Sequence, residues 1–263
     1  MNEKLFIRVS GKHIAFAVFN PADTVQPVGY TIFDSKPGIS VAANMRKAFK
    51  EHEQLKTDYQ RITVLAGAPV LMVPIDLYEE GQKETLYLHA FPSHKADSML
   101  ANVLPDLNCV AIFPVGRDLK MVIDDHYPQA QYVNGNIAVW RHLHQRSFTG
   151  LRAKLYAYFH DGQLELFSFQ QNRFKFCNTF EATSMNDALY FLLYVWRQLN
   201  LQQQHDELHM VGDIPQQEEL LGELRRYLKR AYVINPAADF NRLPITQIEG
   251  MPYDLMTLIT KGR

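Results

Sequence analysis

The chain reads as an α/β protein made of two halves that follow one plan, βββαβαβ. Three observations carry this reading. Each half opens on a three-strand run of alternating apolar and polar residues, continues into an amphipathic helix, and closes on a strand-helix-strand unit.

In the first half, Leu5 to Val9, His13 to Phe19 and Val28 to Phe33 alternate with period two around the turn residues Ser10-Gly11 and Pro21-Ala22-Asp23. That pattern predicts a meander, because successive strand side chains point to opposite faces. Residues 38–54 follow as a helix, with Ile39, Ala42, Ala43, Met45, Ala48 and Phe49 near helical spacing and Lys47, Lys50 and Glu51 for the wet side. Arg61 to Ala66 is a β-branched run ending at Gly67, the signature of a buried strand. The closing unit is Cys109 to Phe113 as strand, Asp118 to His126 as helix and Gln131 to Asn134 as strand.

The same order returns after Gly150. Leu155 to Phe159, Gln163 to Phe169 and Phe174 to Phe180 alternate around His160-Asp161-Gly162 and Gln171-Asn172-Arg173. Ser184, with Asp187 three residues on, predicts a capping box for a helix whose apolar face carries Met185, Ala188, Leu189, Leu192, Val195, Trp196 and Leu199. Glu207 to Val211 then reads as a strand, about Pro215 to Arg230 as a helix, and Tyr232 to Asn235 as a strand. Tyr132-Val133-Asn134 and Tyr232-Val233-Ile234-Asn235 are alike, which supports internal duplication, with halves at 1–148 and 149–263. Residues 68–106 have no counterpart; they contain Pro69, Pro74, Pro92 and Pro105 and two candidate strands, Thr85 to Phe91 and Ser98 to Leu104.

Composition narrows the function classes. With 47% hydrophobic residues in 263, a substantial core is available. A net charge of -1 gives no global attraction for nucleic acid. The N-terminus alternates and carries Lys4, Arg8 and Lys12, unlike a signal peptide, and no window reaches the roughly 18 apolar residues of a membrane span, so a cytoplasmic location is expected. Cys109 and Cys177 lie in apolar or aromatic surroundings and are expected to act as small hydrophobes, not as a disulfide or a metal site. The 16 Phe and 13 Tyr suggest that some rings serve an interface.

Two βββαβαβ halves resemble the actin, sugar-kinase and heat-shock ATPase superfamily, the actin-like ATPase (ribonuclease H-like) fold. More closely, the chain resembles a bacterial domain-of-unknown-function family assigned that fold. The segment Met210-Val211-Gly212-Asp213-Ile214-Pro215 is similar to the superfamily's adenosine motif. The resemblance implies a cleft between the halves that binds ATP with Mg²⁺. By that analogy the residues of such a site here are Ser10, Gly11, Lys12, Asp161, Gly162, Gly212 and Asp213.

The residues themselves depart from the superfamily pattern. A phosphate and its Mg²⁺ need a carboxylate and a cradle of backbone N-H donors at the first turn of each half. The first turn, Arg8-Val9-Ser10-Gly11-Lys12-His13, has no acid, and Asp161-Gly162 between apolar strands is a hairpin signal. Asp213 is expected to act as an N-cap for the following helix, with Gln216 three residues on. His142 and His144, His205 and His209, and Asp124-Asp125-His126 lack the companions that a metal or catalytic site requires. Arg225, Arg226, Lys229 and Arg230 suit a helix C-terminus. The expectation is therefore a non-catalytic adaptor or assembly scaffold with a protein partner and no resident cofactor, residues 68–106 and exposed aromatics forming the contact surface. The alternative is a divergent ATP-binding protein or weak ATPase.

Overall fold

A computed structural model describes residues 3–11, 13–95, 97–170 and 173–261. The chain forms two compact units, Met1–Ala138 with Ile248–Arg263, and Val139–Gln247. The sequence places residues after 247 with the second half, whereas this segment belongs to the first unit.

In the first unit the strands are β1 (Lys4–Val9), β2 (Ile14–Phe19), β3 (Val28–Phe33), β4 (Arg61–Ala66), β5 (Leu71–Pro74), β6 (Asp97–Leu104), β7 (Cys109–Gly116) and β8 (Gln131–Asn134). Its helices are α1 (Val41–Glu51), α2 (Lys83–Ala90), α3 (Arg117–His126) and the C-terminal α8 (Tyr253–Lys261); α4 (Asn136–Ser147) carries the chain into the second unit. The main sheet has the order β3-β2-β1-β4-β8, antiparallel across β1, β2 and β3 and parallel across β1, β4 and β8. Leu5, Ile7 and Val9 point from β1 into a core closed by Met45, Ala48 and Phe49 of α1 and Val122 and Ile123 of α3. Each fully buried aliphatic of this kind contributes about 1.5–3 kcal/mol.

The second unit contains β9 (Lys154–His160), β10 (Gln163–Gln170), β11 (Arg173–Glu181), α5 (Met185–Gln198), β12 (Glu207–Gly212), α6 (Gln217–Tyr227), β13 (Ala231–Val233) and the short α7 (Pro236–Asp239). Its sheet order, β11-β10-β9-β12-β13, repeats that of the first unit strand for strand, with the same antiparallel and parallel pairings. Leu155, Ala157 and Phe159 of β9 face Leu192, Val195 and Trp196 of α5 and Leu220 and Leu224 of α6. The predicted capping box is present: Ser184 Oγ accepts from Asp187 N-H at 3.2 Å and the Asp187 carboxylate accepts from Ser184 N-H at 3.2 Å.

The likeness between Tyr-Val-Asn and Tyr-Val-Ile-Asn has a local cause. Asn134 Oδ1 accepts from Asn136 N-H at 3.0 Å and Asn235 Oδ1 from Ala237 N-H at 2.9 Å. In both places an asparagine, the final residue of β8 or two residues past β13, turns the chain into the next helix by hydrogen-bonding two residues on.

Three readings of the sequence need correction. Thr85 to Phe91 is not a strand: α2 occupies it and buries Tyr87, whose hydroxyl donates to Pro69 O at 2.9 Å. The strand at Cys109 does not join the main sheet but is the centre of a separate antiparallel sheet, β5-β7-β6. The inserted subdomain thus extends past residue 106, and α3 and β8 alone return the chain to the main sheet. Asp213 is not the N-cap of α6; the cap position is Gln216, with φ 44° and no side-chain cap bond.

Candidate functional site

Parallel pairing of β1 with β4 and of β9 with β12 brings the C-terminal ends of these strands together within each unit. The positions singled out by the resemblance fall there. Gly67 N-H donates to Val9 O at 2.8 Å in the first unit, and Asp213 N-H donates to Phe159 O at 2.9 Å in the second. Ser10-Gly11 in one unit and His160-Asp161 in the other therefore occupy equivalent places.

In the first unit Ser10 is buried and engaged within its own hairpin. Its N-H donates to His13 O at 2.9 Å, and its Oγ accepts from His13 N-H at 3.2 Å. Gly11 is exposed at the tip; Lys12 lies outside the described residues. Beside this turn is a cavity of about 300 Å³ bounded by Ser10, Gly11, His13, Lys36, Gly38 and Asn44. The Asn44 amide is occupied with the loop before α1, accepting from Lys36 N-H at 3.0 Å and donating to Lys36 O and Ile39 O, each at 3.3 Å. The first turn of α1 is capped by Ser40, whose Oγ accepts from Ala43 N-H at 3.2 Å.

In the second unit Asp161 and Gly162 have φ of 50° and 76° and His160 pairs directly with Gln163, so the connection is a two-residue hairpin turn with both central residues left-handed. Asp161 Oδ2 lies 3.3 Å from His160 Nδ1, and the imidazole stacks on Tyr158 at 4.6 Å. Gly212 has φ 99°, and a Cβ built on it would lie 2.0 Å from Phe159 O. Glycine is needed here because the backbone of β12 runs against that of β9. Thus Asp161, Gly162, Gly212 and Asp213 converge on Phe159 and its turn, while Ser10 and Gly11 sit at the matching place in the other sheet.

Sequence reasoning missed a buried ion pair at this end of the first unit. Arg8 Nε donates to Asp254 Oδ1 at 3.1 Å and to Oδ2 at 2.8 Å, the two side chains being 8% and 4% exposed. Leu255 N-H also donates to Asp254 Oδ1, at 2.6 Å. The partners are 246 residues apart, and no local pattern links them.

The remaining constellations have local explanations. His142 Nε2 lies 2.7 Å from Asp239 Oδ2 and stacks on Phe240, and Arg146 reaches the other carboxylate oxygen. Asp124 accepts from Tyr132 Oη at 2.7 Å, and His126 Nε2 is 2.8 Å from Leu55 O. Arg226 bonds Glu223 and Arg225 donates to Ala231 O. Cys109 is buried, and Cys177 Sγ donates to Glu165 Oε1 at 3.4 Å. Among the described residues no cluster of three His, Cys, Asp or Glu could hold a metal, and no helix is long and apolar enough to cross a membrane.

One titrating pair sits on β12. His209 is packed between Tyr156 and Tyr232, and its Nε2 is 3.0 Å from Glu207 Oε2. Burial lowers the His209 pKa below the usual histidine value, against the opposing pull of Glu207. Burial pushes the Glu207 carboxyl up, but hydrogen bonds from His209 and Arg152 outweigh it and hold the group below its ordinary range. The unfolded chain therefore binds protons on His209 at a higher pH than the folded chain does. Stability from this histidine is complete above about pH 6.5 and is lost as pH falls from there toward the folded value. Melting temperature is expected to drop between about pH 7 and 5.5, and His209→Gln to flatten that slope. An unchanged slope in the variant would assign the effect elsewhere.

Two sheets of order 3-2-1-4-8 and 11-10-9-12-13, each joined through a meander and parallel crossovers, define an actin-like ATPase fold. A Bacteroides thetaiotaomicron protein with actin-like ATPase fold and unknown function is 27% identical, with a TM-score of 0.83 over 94% of this chain and 96% of that one. The PilM-PilN type IV pilus biogenesis complex contributes a chain with a TM-score of 0.55 at 10% identity, over 98% of this chain and 96% of that one, a likeness of fold. No curated protein matches the chain in sequence. Residues 1–231 match the family described as Protein of unknown function (DUF3822), and the chain belongs to it.

Proposed function

We propose that the chain is a non-catalytic actin-like adaptor or assembly scaffold that binds a protein partner in the cytoplasm. One observation carries this reading: at the two places where such a fold would meet phosphate, the described backbone is closed on itself by local bonds. Ser10 is bonded to His13, and Asp161 and Gly162 form the turn itself. A tight hairpin offers too few consecutive N-H donors to wrap a phosphate.

The contact surface in this reading is the inserted subdomain, where Leu77 and Val103 are 68% and 55% exposed, with Tyr190, Tyr194 and Tyr227 as exposed rings on the other unit. The PilM-PilN complex is a precedent for this fold inside a protein assembly. Affinity capture from the source cell with the intact chain is expected to recover one partner saturably. The Leu77→Asp, Val103→Asp double variant is expected to recover at least about tenfold less, since losing two apolar contacts costs about 2–3 kcal/mol. Equal recovery by both proteins would remove the inserted subdomain from the interface.

A further inference from the structure

Away from its strand ends, the second unit holds a cavity of about 670 Å³ at the C-terminal ends of α5 and α6, a volume in the range of small-molecule pockets. Its place follows from how α5 stops. Asn200, with φ 53°, takes the left-handed conformation that asparagine tolerates and closes a Schellman motif: its N-H donates to Arg197 O at 3.0 Å, and Leu201 N-H donates to Trp196 O at 3.1 Å. The reversal puts Trp196 and Leu201 on the cavity wall, beside Leu193 of α5 and Tyr227 and Leu228 at the end of α6. Lys229 N-H donates to Gln203 O at 2.9 Å and so ties the loop after α5 to the chain after α6.

The chemistry of this wall is one-sided. Its backbone is largely engaged, since Leu199 N-H donates to Val195 O at 3.0 Å and Leu228 N-H to Leu224 O at 2.8 Å, besides the Schellman bonds. Two lining side chains still offer donors. Trp196 is 3% exposed and its Nε1 has no acceptor; Arg197 is exposed, and its guanidinium has no acceptor among the described residues. Among the described residues no acid lines the cavity, and Glu223, one turn back on α6, is held by Arg226 at 2.8 Å.

We infer that this cavity binds an amphipathic carboxylate, a straight alkyl chain with one carboxylate head. The chain lies against Leu193, Leu201, Tyr227 and Leu228, and the head meets Arg197. An ionised carboxylate only accepts, which suits a site whose free groups donate, and a guanidinium can hold it with two parallel bonds. An alcohol head forgoes the charge, and an ammonium head meets like charge. An alkyl tail is favoured over a peptide because the engaged backbone of the wall would leave buried peptide groups unpaired. This inference goes beyond the adaptor reading and needs no partner protein.

The test is calorimetric titration of the full chain with hexanoate, octanoate and decanoate. Decanoate is expected to bind with a dissociation constant on the order of 0.1 mM. Each added methylene should tighten binding about two- to fourfold, fourfold being the worth of a fully buried methylene. Octanol and octylammonium are expected to bind about fivefold or more weakly than octanoate, and Arg197→Gln, a change at an exposed position, to weaken octanoate about fivefold while leaving octanol as it was. The indole N-H resonance of Trp196, one of two tryptophans in the chain, is expected to move on adding octanoate. No binding of decanoate at millimolar concentration overturns the inference. So do equal affinities for octanoate, octanol and octylammonium, and so does binding that leaves the Trp196 resonance in place. Tighter binding of N-acetylleucine than of octanoate also overturns it, by assigning the cavity to a peptide C-terminus.

Discussion

Replacing Gly212 with alanine is expected to destabilise the second unit by about 3–5 kcal/mol, the range of substitutions that force backbone apart at a strained position. The cause is twofold. Gly212 has φ 99°, where an L side chain is strained, and its Cβ would lie 2.0 Å from Phe159 O, 3.0 Å from Phe159 C and 3.2 Å from Phe159 N. To make room, the end of β12 must leave β9, breaking the bond from Asp213 N-H to Phe159 O. Gly150 supplies the control, since its φ is 79° with nothing within 4 Å of a built Cβ. Gly150→Ala carries only the dihedral cost, about 1 kcal/mol. Denaturant titration followed by a probe in the second unit separates the two, and equal losses would show that the contact with Phe159 does not matter.

Removing the Asp254 carboxylate is expected to be the second largest effect. Asp254→Ala takes a carboxylate partner from the buried Arg8 guanidinium and an acceptor from Leu255 N-H, a loss of about 3–5 kcal/mol for a broken buried pair. The carboxylate also stands in the first turn of α8, where it meets the positive end of the helix. The damage should be local first: amides of Tyr253–Lys261 are expected to lose hydrogen-exchange protection before those of β1. The double variant Arg8→Met, Asp254→Leu is expected to recover part of the loss, because apolar residues of similar volume remove the uncompensated charge. Unchanged protection of α8 in Asp254→Ala would contradict this role.

What the sequence discloses follows from what is local. The meanders were legible because period-two alternation needs only neighbours, and the Ser184 cap and the Asp161-Gly162 turn because each motif spans a few residues. The residues at Thr85 to Phe91 carry three β-formers, Thr85, Tyr87 and Phe91, and with Tyr87 alone buried, α2 has no amphipathic stripe to read. Cys109 to Gly116 was legible as a strand but not as a member of a second sheet, since pairing partners are set by tertiary packing. Asp213 has the composition of a cap, yet the left-handed turn at Gln216 delays the helix. The Arg8 and Asp254 pair joins opposite ends of the chain, a contact that one sequence does not encode in any pattern.

The same distinction applies to the candidate site. Residue types alone allowed Ser10, Gly11, Asp161, Gly162, Gly212 and Asp213 to be read as phosphate and adenosine contacts or as turns. The backbone bonds at Ser10 and Asp213, the paired positive φ at Asp161 and Gly162, and the close approach at Gly212 give these five a structural duty, while Gly11 lies exposed at its hairpin tip. The hairpin closure seen in both units is what favours an adaptor over a nucleotide machine.

The direct measurement is thermal denaturation of the full chain with Mg-ATP raised to millimolar concentration, with calorimetric titration as a check. A ligand at 100 times its dissociation constant adds about 2.7 kcal/mol of stability, enough to move the melting temperature by several degrees. The adaptor account predicts no shift and no heat of binding beyond dilution. A saturable rise in melting temperature that depends on Mg²⁺ and disappears in Asp161→Asn would contradict it and establish a working nucleotide site.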